Sequence, residues 1–145
     1  MNSEKSVMII DQNSSFREGL KDLVKQTSGY RFIAEAASGQ EGMDRARETA
    51  PDLIIMECTP PDMSGMAMVR ELKRLNPPTK ILVLCAQPQY DKVTQAIRAG
   101  ARGFAVKGSI GGSFVEAMNT IGQGNYFLDD AFYDEVLTQM LTGSA

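Results

Sequence analysis

The stretch Pro51-Asp52-Leu53-Ile54-Ile55-Met56-Glu57-Cys58-Thr59-Pro60-Pro61-Asp62-Met63-Ser64-Gly65 decides the reading of this chain. An apolar run ends in a single acid, and a loop of prolines and a glycine follows. That order reads as a buried strand delivering Glu57 to the carboxyl edge of a sheet, the edge where α/β folds keep their chemistry. Working outward, three more apolar runs end in polar residues. Val7-Met8-Ile9-Ile10 runs into Asp11-Gln12, Ile81-Leu82-Val83-Leu84 into Cys85, and Phe104-Ala105-Val106 into Lys107. As parallel neighbours these strands bring an acid, an amide, a thiol and an ammonium to one pocket with Glu57.

Apolar runs alternate with segments of helical period along the chain, the pattern of βαβ units around a parallel sheet. Strands are expected near 6–11, 31–36, 52–57, 80–85 and 103–107. Phe16, Leu20, Leu23 and Val24 mark one face of a first helix capped by Asn13 or Ser14. Ser38 and Glu41 stand in capping-box spacing at the start of a second. Met68, Val69, Leu72 and Leu75 mark a third, which Asn76-Pro77-Pro78 must end. Val93, Ala96 and Ile97 mark a fourth, near 89–99, with Gly100 as its C-cap. Phe114, Ala117, Met118 and Ile121 mark a fifth. Met63, Met66 and Met68 read as core and loop packing.

At this point the sequence resembles the receiver domain of two-component response regulators, over nearly all of residues 5 to 128. The resemblance rests on Asp11, Phe16-Arg17-Glu18-Gly19-Leu20, Pro51-Asp52-Leu53-Ile54-Ile55-Met56, Pro61-Asp62-Met63-Ser64-Gly65 and Gly100-Ala101-Arg102-Gly103-Phe104, in the family's order and spacing. The wording looks like the subfamily whose output is a LuxR-type helix-turn-helix. It implies a flavodoxin-like (CheY-like) doubly wound α/β fold, a five-stranded parallel sheet of order 2-1-3-4-5, plus a C-terminal helix. It also implies a signalling module rather than an enzyme.

Against that family the pocket departs in three places. Its phosphoacceptor is an aspartate, and here Glu57 stands there. Two adjacent acids normally hold Mg²⁺, and here the pair is Asp11 and the neutral Gln12. The switch Ser/Thr is replaced by Cys85, while Phe104 takes the place of the Tyr or Phe whose ring moves between exposed and buried states. A phenyl ring has no hydroxyl to anchor it outside and should prefer the buried side. Lys107 matches the family's phosphoryl-binding cation. The resemblance therefore implies a degenerate receiver that does not rely on aspartyl phosphorylation, with no cofactor beyond weak or absent Mg²⁺ at Asp11, Glu57 and Thr59.

Several readings stay open on the residues alone. Glu57 either carries its carboxylate toward the place of the phosphoryl oxygens and holds the switch toward its active form, or simply neutralises Lys107. Lys107 in turn pairs with Glu57 or Asp11. Cys85 either fills the Thr position as a small residue or acts as a reactive thiol beside Lys107, the second being the basis of an alternative function: a Cys85-based redox sensor or enzyme on the same fold. Strand alternation turns Cys58 away from Glu57, and a Cys58–Cys85 disulfide rests on proximity alone. A nucleotide site would need a Gly-rich loop after the first strand, where this chain has Asp11-Gln12-Asn13-Ser14-Ser15-Phe16.

Composition narrows the classes further. The 145 residues fit one domain, large enough to bury about two thirds of its unfolded surface. With 43% hydrophobic but only 7% aromatic residues, the core must be mostly aliphatic. A net charge of −3 offers nothing to a phosphate backbone, so DNA is expected only through a domain absent from this chain. No histidine is present, which removes the commonest metal ligand and general base. The start of the chain lacks the apolar stretch of a signal peptide and no segment is apolar enough to span a bilayer. Two cysteines outside a small scaffold point to a reducing compartment, and the cytoplasm is expected.

Residues 1–128 are thus expected to form the receiver and 129–145 a linker toward a helix-turn-helix domain. In the latter, Asp129, Asp130, Asp134 and Glu135 suit a first helical turn. Phe132, Val136 and Met140, with Tyr133, Leu137 and Leu141 beside them, make an apolar face that must be buried. The expected partners are a histidine kinase lineage and either another protein or a second copy, meeting the face at 89–122 or the C-terminal helix.

Overall fold

The computed structural model describes residues 4–143; the ends of the expected 1–128 and 129–145 segments at 1–3 and 144–145 lie outside the described residues. Elements alternate in chain order: β1 (Lys5–Ile10), α1 (Ser14–Gln26), β2 (Tyr30–Ala36), α2 (Gly39–Thr49), β3 (Leu53–Glu57), α3 (Gly65–Leu75), β4 (Lys80–Cys85), α4 (Tyr90–Ala99), β5 (Gly103–Val106), α5 (Ile110–Gly122), β6 (Phe127–Leu128), a 3₁₀ turn (Asp130–Phe132) and α6 (Tyr133–Thr142).

The strands pair in parallel in the order β2-β1-β3-β4-β5-β6. The doubly wound sheet is as expected, with one correction: among the described residues it has six strands rather than five. The sixth is two residues long and adds to the β5 edge, where the Phe127 N–H donates to the Arg102 carbonyl (3.0 Å). So short a strand leaves no periodicity to read.

Strand alternation divides the core into two layers. Val7, Ile9, Leu53, Ile55, Leu82 and Leu84 face one way, against Leu20 and Val24 of α1 and Phe114 and Ile121 of α5. Met8, Ile10, Ile54, Met56, Ile81 and Val83 face the other, against Met43 of α2, Met68 of α3 and Val93 of α4. Burial on both faces explains why these strands are continuous apolar runs. Met66 and Met68 are core residues and Met63 is packed on the edge of that second layer.

Helix ends follow local chemistry. Asn13 caps α1 by accepting from Phe16 N–H (3.0 Å), and Ser38 caps α2 by accepting from Glu41 N–H (3.2 Å). Glu41 reaches back to Ala37 N–H (2.6 Å), one residue short of a closed capping box. The third helix stops at Asn76 before the two prolines, and α4 at Gly100, whose φ of 118° is the left-handed region glycine favours. Ile97, expected on the buried face of α4, is exposed; Val93, Ala96 and Ala99 are buried instead.

The C-terminal segment also differs from its reading. Asp129 and Asp130 precede α6, and Phe132 closes the 3₁₀ turn rather than lying on the helix. Phe132 is fully buried and Val136 packs on the second core layer, but Tyr133, Leu137, Met140 and Leu141 are exposed. Burial of a ring of this size contributes roughly 1.5–3 kcal/mol to holding the segment on the core.

Candidate functional site at the carboxyl edge of the sheet

Glu57 is the last residue of β3 and lies in register with Leu84 of β4. Only 4% of it is exposed. Its Oε2 accepts from the Gln12 backbone N–H at 2.7 Å, and its Oε1 accepts more distantly from Gln12 Nε2 at 3.4 Å. Lys107 Nζ stands 3.9 Å from Oε1. Asp11, which ends the β1 run, is the lysine's nearer partner, with Nζ 2.7 Å from Oδ2. Asp11 Oδ1 accepts from Asn13 N–H (2.9 Å), and its carbonyl accepts from Arg17 Nη1 (2.6 Å). The ammonium of Lys107 also lies 4.9 Å from the centre of the Phe16 ring.

Asp11, Gln12, Glu57 and Lys107 are therefore one connected cluster, with the ion pair expected for the lysine made chiefly to Asp11. Burial pushes the Glu57 carboxyl above the ordinary carboxylate range, and the neighbouring Asp11 charge adds to that; the Gln12 N–H and Lys107 pull the other way without cancelling it. Two buried carboxylates share one nearby cation.

The loop after Glu57 is built by contacts of its own. A Cβ on Gly65 would come within 2.0 Å of the Cys58 carbonyl oxygen, so α3 can start this close to the strand only at a glycine. Asp62 accepts from the N–H groups of Gly39 (2.7 Å) and Gln40 (3.0 Å), tying the loop to the start of α2. Those backbone bonds, from Gln40 first and then Gly39, hold its carboxyl below the usual range. Thr59 lies exposed on the rim of this loop.

Cys85 does not join the acidic cluster. It ends β4 on the face that carries Ile81 and Val83, and it is disulfide-bonded to Cys58, which shares that face. A free Cys85 thiol beside Lys107 is thus corrected: only the Lys107 backbone N–H meets Cys85, donating to its carbonyl (2.8 Å). Alternation did turn Cys58 from Glu57, but it turned Cys85 the same way, which the residues alone left open.

Phe104 of β5 lies in the same layer, 1% exposed, its ring edge-on to Phe132 with centroids 5.1 Å apart at 85°. Sequence reasoning expected the burial but not its cause. It placed Asp129 in a first helical turn, whereas the residue is buried ahead of the helix and accepts from Val106 N–H (3.1 Å), Ala131 N–H (3.1 Å) and the Ser109 hydroxyl. Burial raises the Asp129 carboxyl, yet the bonds from Ser109, Ala131 and Val106 outweigh it and leave it below the ordinary range. The one available signal was its N-cap position ahead of an apolar pair.

Comparison with known proteins bears on this edge. The model of the response regulator receiver domain matches residues 7–119. The chain belongs to that family. It is 35% identical over 119 residues to the chemotaxis protein CheY of Thermotoga maritima, covering 82% of this chain and 98% of that protein. To a nitrate/nitrite response regulator protein homolog of Haemophilus influenzae it is 28% identical over 137 residues, covering 94% of this chain but 66% of the other. Among solved structures it resembles a LuxR-family two-component response regulator from Aurantimonas sp. SI85-9A1, with a TM-score of 0.89, 27% identity and coverage of 96% and 99%. The RcsB response regulator of Salmonella typhimurium, 17% identical, shares the fold at a TM-score of 0.86 over 99% of this chain and 69% of that one. The chain is thus a signalling receiver domain of the CheY-like fold with LuxR-family neighbours, and among the described residues no helix is long and apolar enough to cross a membrane.

Proposed function

We propose that this receiver works without phosphorylation at the acceptor position, presenting a surface that is fixed or governed by other means. The observation that carries the reading is the state of Glu57: its Oε2 is engaged by the Gln12 N–H, Asp11 beside it holds Lys107, and the pocket satisfies itself without an added anion. A phosphoryl group would compete with Glu57 for the very donors that should receive it.

The Mg²⁺ suggested for Asp11, Glu57 and Thr59 fits poorly with the same geometry. Asp11 Oδ2 is committed to Lys107 and Oδ1 to Asn13, and among the described residues no group of three or more His, Cys, Asp or Glu could hold a metal ion. A small hard cation that demands near-octahedral oxygen ligands finds too few free ones here.

On this reading residues 1–128 are the receiver and 129–145 the linker, in a cytoplasmic regulator of histidine kinase lineage whose DNA contacts lie in a separate helix-turn-helix domain. Its partner, protein or second copy, meets the face at 89–122 or α6. The Phe132–Phe104 contact supports a surface held in one arrangement, because the ring that would move is met edge-on by Phe132.

The test is incubation with acetyl phosphate and Mg²⁺ followed by intact-mass measurement. No stable phosphoryl adduct is expected, since in-line placement and metal neutralisation are both degraded. A stoichiometric phosphoryl group on Glu57 would overturn the reading.

A further inference from the structure

We propose that Cys58 and Cys85 form a reversible dithiol–disulfide pair, through which low-molecular-weight thiols and disulfides set how tightly the Glu57 edge is tied to α4. The proposal rests on the reading that phosphorylation does not control this receiver, and it supplies a control in its place.

The juxtaposition is made by the sheet rather than by the bond. Cys58 directly follows β3 and Cys85 ends the neighbouring β4, their Cα atoms 5.2 Å apart, within the span a disulfide bridges. The Cys58 N–H donates to the Leu84 carbonyl at 2.9 Å, which keeps the two strand ends in register with or without a covalent link. Apart from these two cysteines, both core layers are built of side chains from other positions. Thiols in this place remain poised to re-form it.

Access is unequal. Cys85 is 3% exposed, whereas Cys58 is half-buried and borders two open depressions. One, of about 680 Å³, lies between α3 and α4 and carries Arg70, Lys92 and Arg98. None of these three cations forms an ion pair among the described residues, so the groove attracts an anionic visitor. The other, of about 240 Å³, opens beside Ala86, Gln87 and Gln89 and reaches Cys85, of which only 3% is exposed. A carboxylate-bearing disulfide such as oxidised glutathione matches this entrance in charge.

The chemistry balances by two exchanges. The Cys58 thiolate attacks the low-molecular-weight disulfide, forms a mixed disulfide and releases one thiolate. Cys85, deprotonated, then attacks Cys58 Sγ and releases the second. Two protein thiols become a disulfide, one external disulfide becomes two thiols, and the protons pass to the departing thiolates. Reduction runs the same steps backward, entering at Cys58.

The consequence travels along a short connection. Cys85 is followed by Ala86-Gln87-Pro88-Gln89, and Gln89 gives α4 no side-chain cap. The first N–H of that helix, Tyr90, donates instead to Glu135 of α6 at 2.9 Å. Oxidation therefore fixes the near end of a connector whose far end carries the α4–α6 contact, and reduction leaves it anchored by β4 alone.

The wild-type chain, poised in buffers of reduced and oxidised glutathione and then alkylated, should lose two reactive thiols together and regain both on reduction. Hydrogen exchange over 86–95 and 133–142 should be several-fold slower in the oxidised protein. Cys85→Ser should leave a stable mixed disulfide on Cys58, whereas Cys58→Ser should leave Cys85 unmodified in the folded chain. Thiols that stay alkylatable at every buffer ratio, a bond that survives excess reduced glutathione, or identical exchange in both forms would overturn the proposal, whether or not the serine variants fold. A phosphoryl group found on Glu57 of the reduced protein would instead overturn the proposed function and leave the thiol result standing.

Discussion

Glu57 and Asp129 are both carboxylates buried at the carboxyl edge of one sheet, and their environments push them in opposite directions. Asp129 receives two backbone N–H groups and a hydroxyl and stays readily ionised. Glu57 has one short backbone bond, a second carboxylate beside it and a lysine that prefers the neighbour. Similar burial thus gives a readily ionised structural anion after β6 and a carboxyl pushed above its ordinary range at the end of β3. The difference lies in the number of donors aimed at each group.

The linker side should be the more costly to disturb. Phe132→Ala removes a fully buried ring that also holds Phe104, and should cost about 3–5 kcal/mol in urea unfolding. A loss under about 1 kcal/mol would mean that the turn is not an anchor. On the pocket side, Lys107→Met leaves Asp11 and Glu57 without their cation. It should cost about 2–3 kcal/mol, less than the roughly 3–5 kcal/mol of a fully buried pair because the lysine is partly exposed. Adding Glu57→Gln should recover part of that loss; a fully additive double variant would deny the coupling.

Acid sharpens the contrast. The Asp129 carboxyl is lowered on folding, so its ionised form stabilises the fold above the unfolded value and the contribution is lost as pH falls toward the folded one. Asp129→Ala should therefore destabilise by about 1–3 kcal/mol at pH 7, with the gap to wild type narrowing below about pH 4. The Glu57 carboxyl is raised, so its ionisation costs stability, fully above its folded value and not at all below the unfolded one. Glu57→Gln should raise the melting temperature slightly at pH 7, and the difference should vanish on acidification below about pH 4. Parallel pH profiles for the two variants would erase the distinction drawn between the sites.

Much of the fold and of the acidic cluster is legible in the sequence. Strand ends identify themselves where apolar runs meet Asp11, Glu57, Cys85 and Lys107, because a buried parallel strand can carry polarity only at its edge. Asn13, Ser38, the Asn76 stop and Gly100 were readable because caps act within one turn of chain. What escaped depended on distant partners. Phe132 looked like one residue of a helical stripe, and only its contact with Phe104, across the sheet edge, separates it from the exposed Leu141. Asp62 read as a loop acid and Asp129 as an acid of a first helical turn, because N–H groups they satisfy lie on other elements. The Cys58–Cys85 bond needed the register of β3 against β4, which sequence spacing leaves free.

The most direct measurement is a side-by-side phosphorylation of two revertants with acetyl phosphate and Mg²⁺, read by intact mass. If Gln12 and Glu57 disable the acidic cluster and the Cys58–Cys85 bond withholds a switch hydroxyl from it, Glu57→Asp alone should stay unlabelled, while Glu57→Asp combined with Gln12→Asp and Cys85→Thr should gain one phosphoryl group that depends on Mg²⁺. Equal labelling of the single and triple variants would contradict the claim, because the shorter side chain alone would then restore everything the pocket lacks.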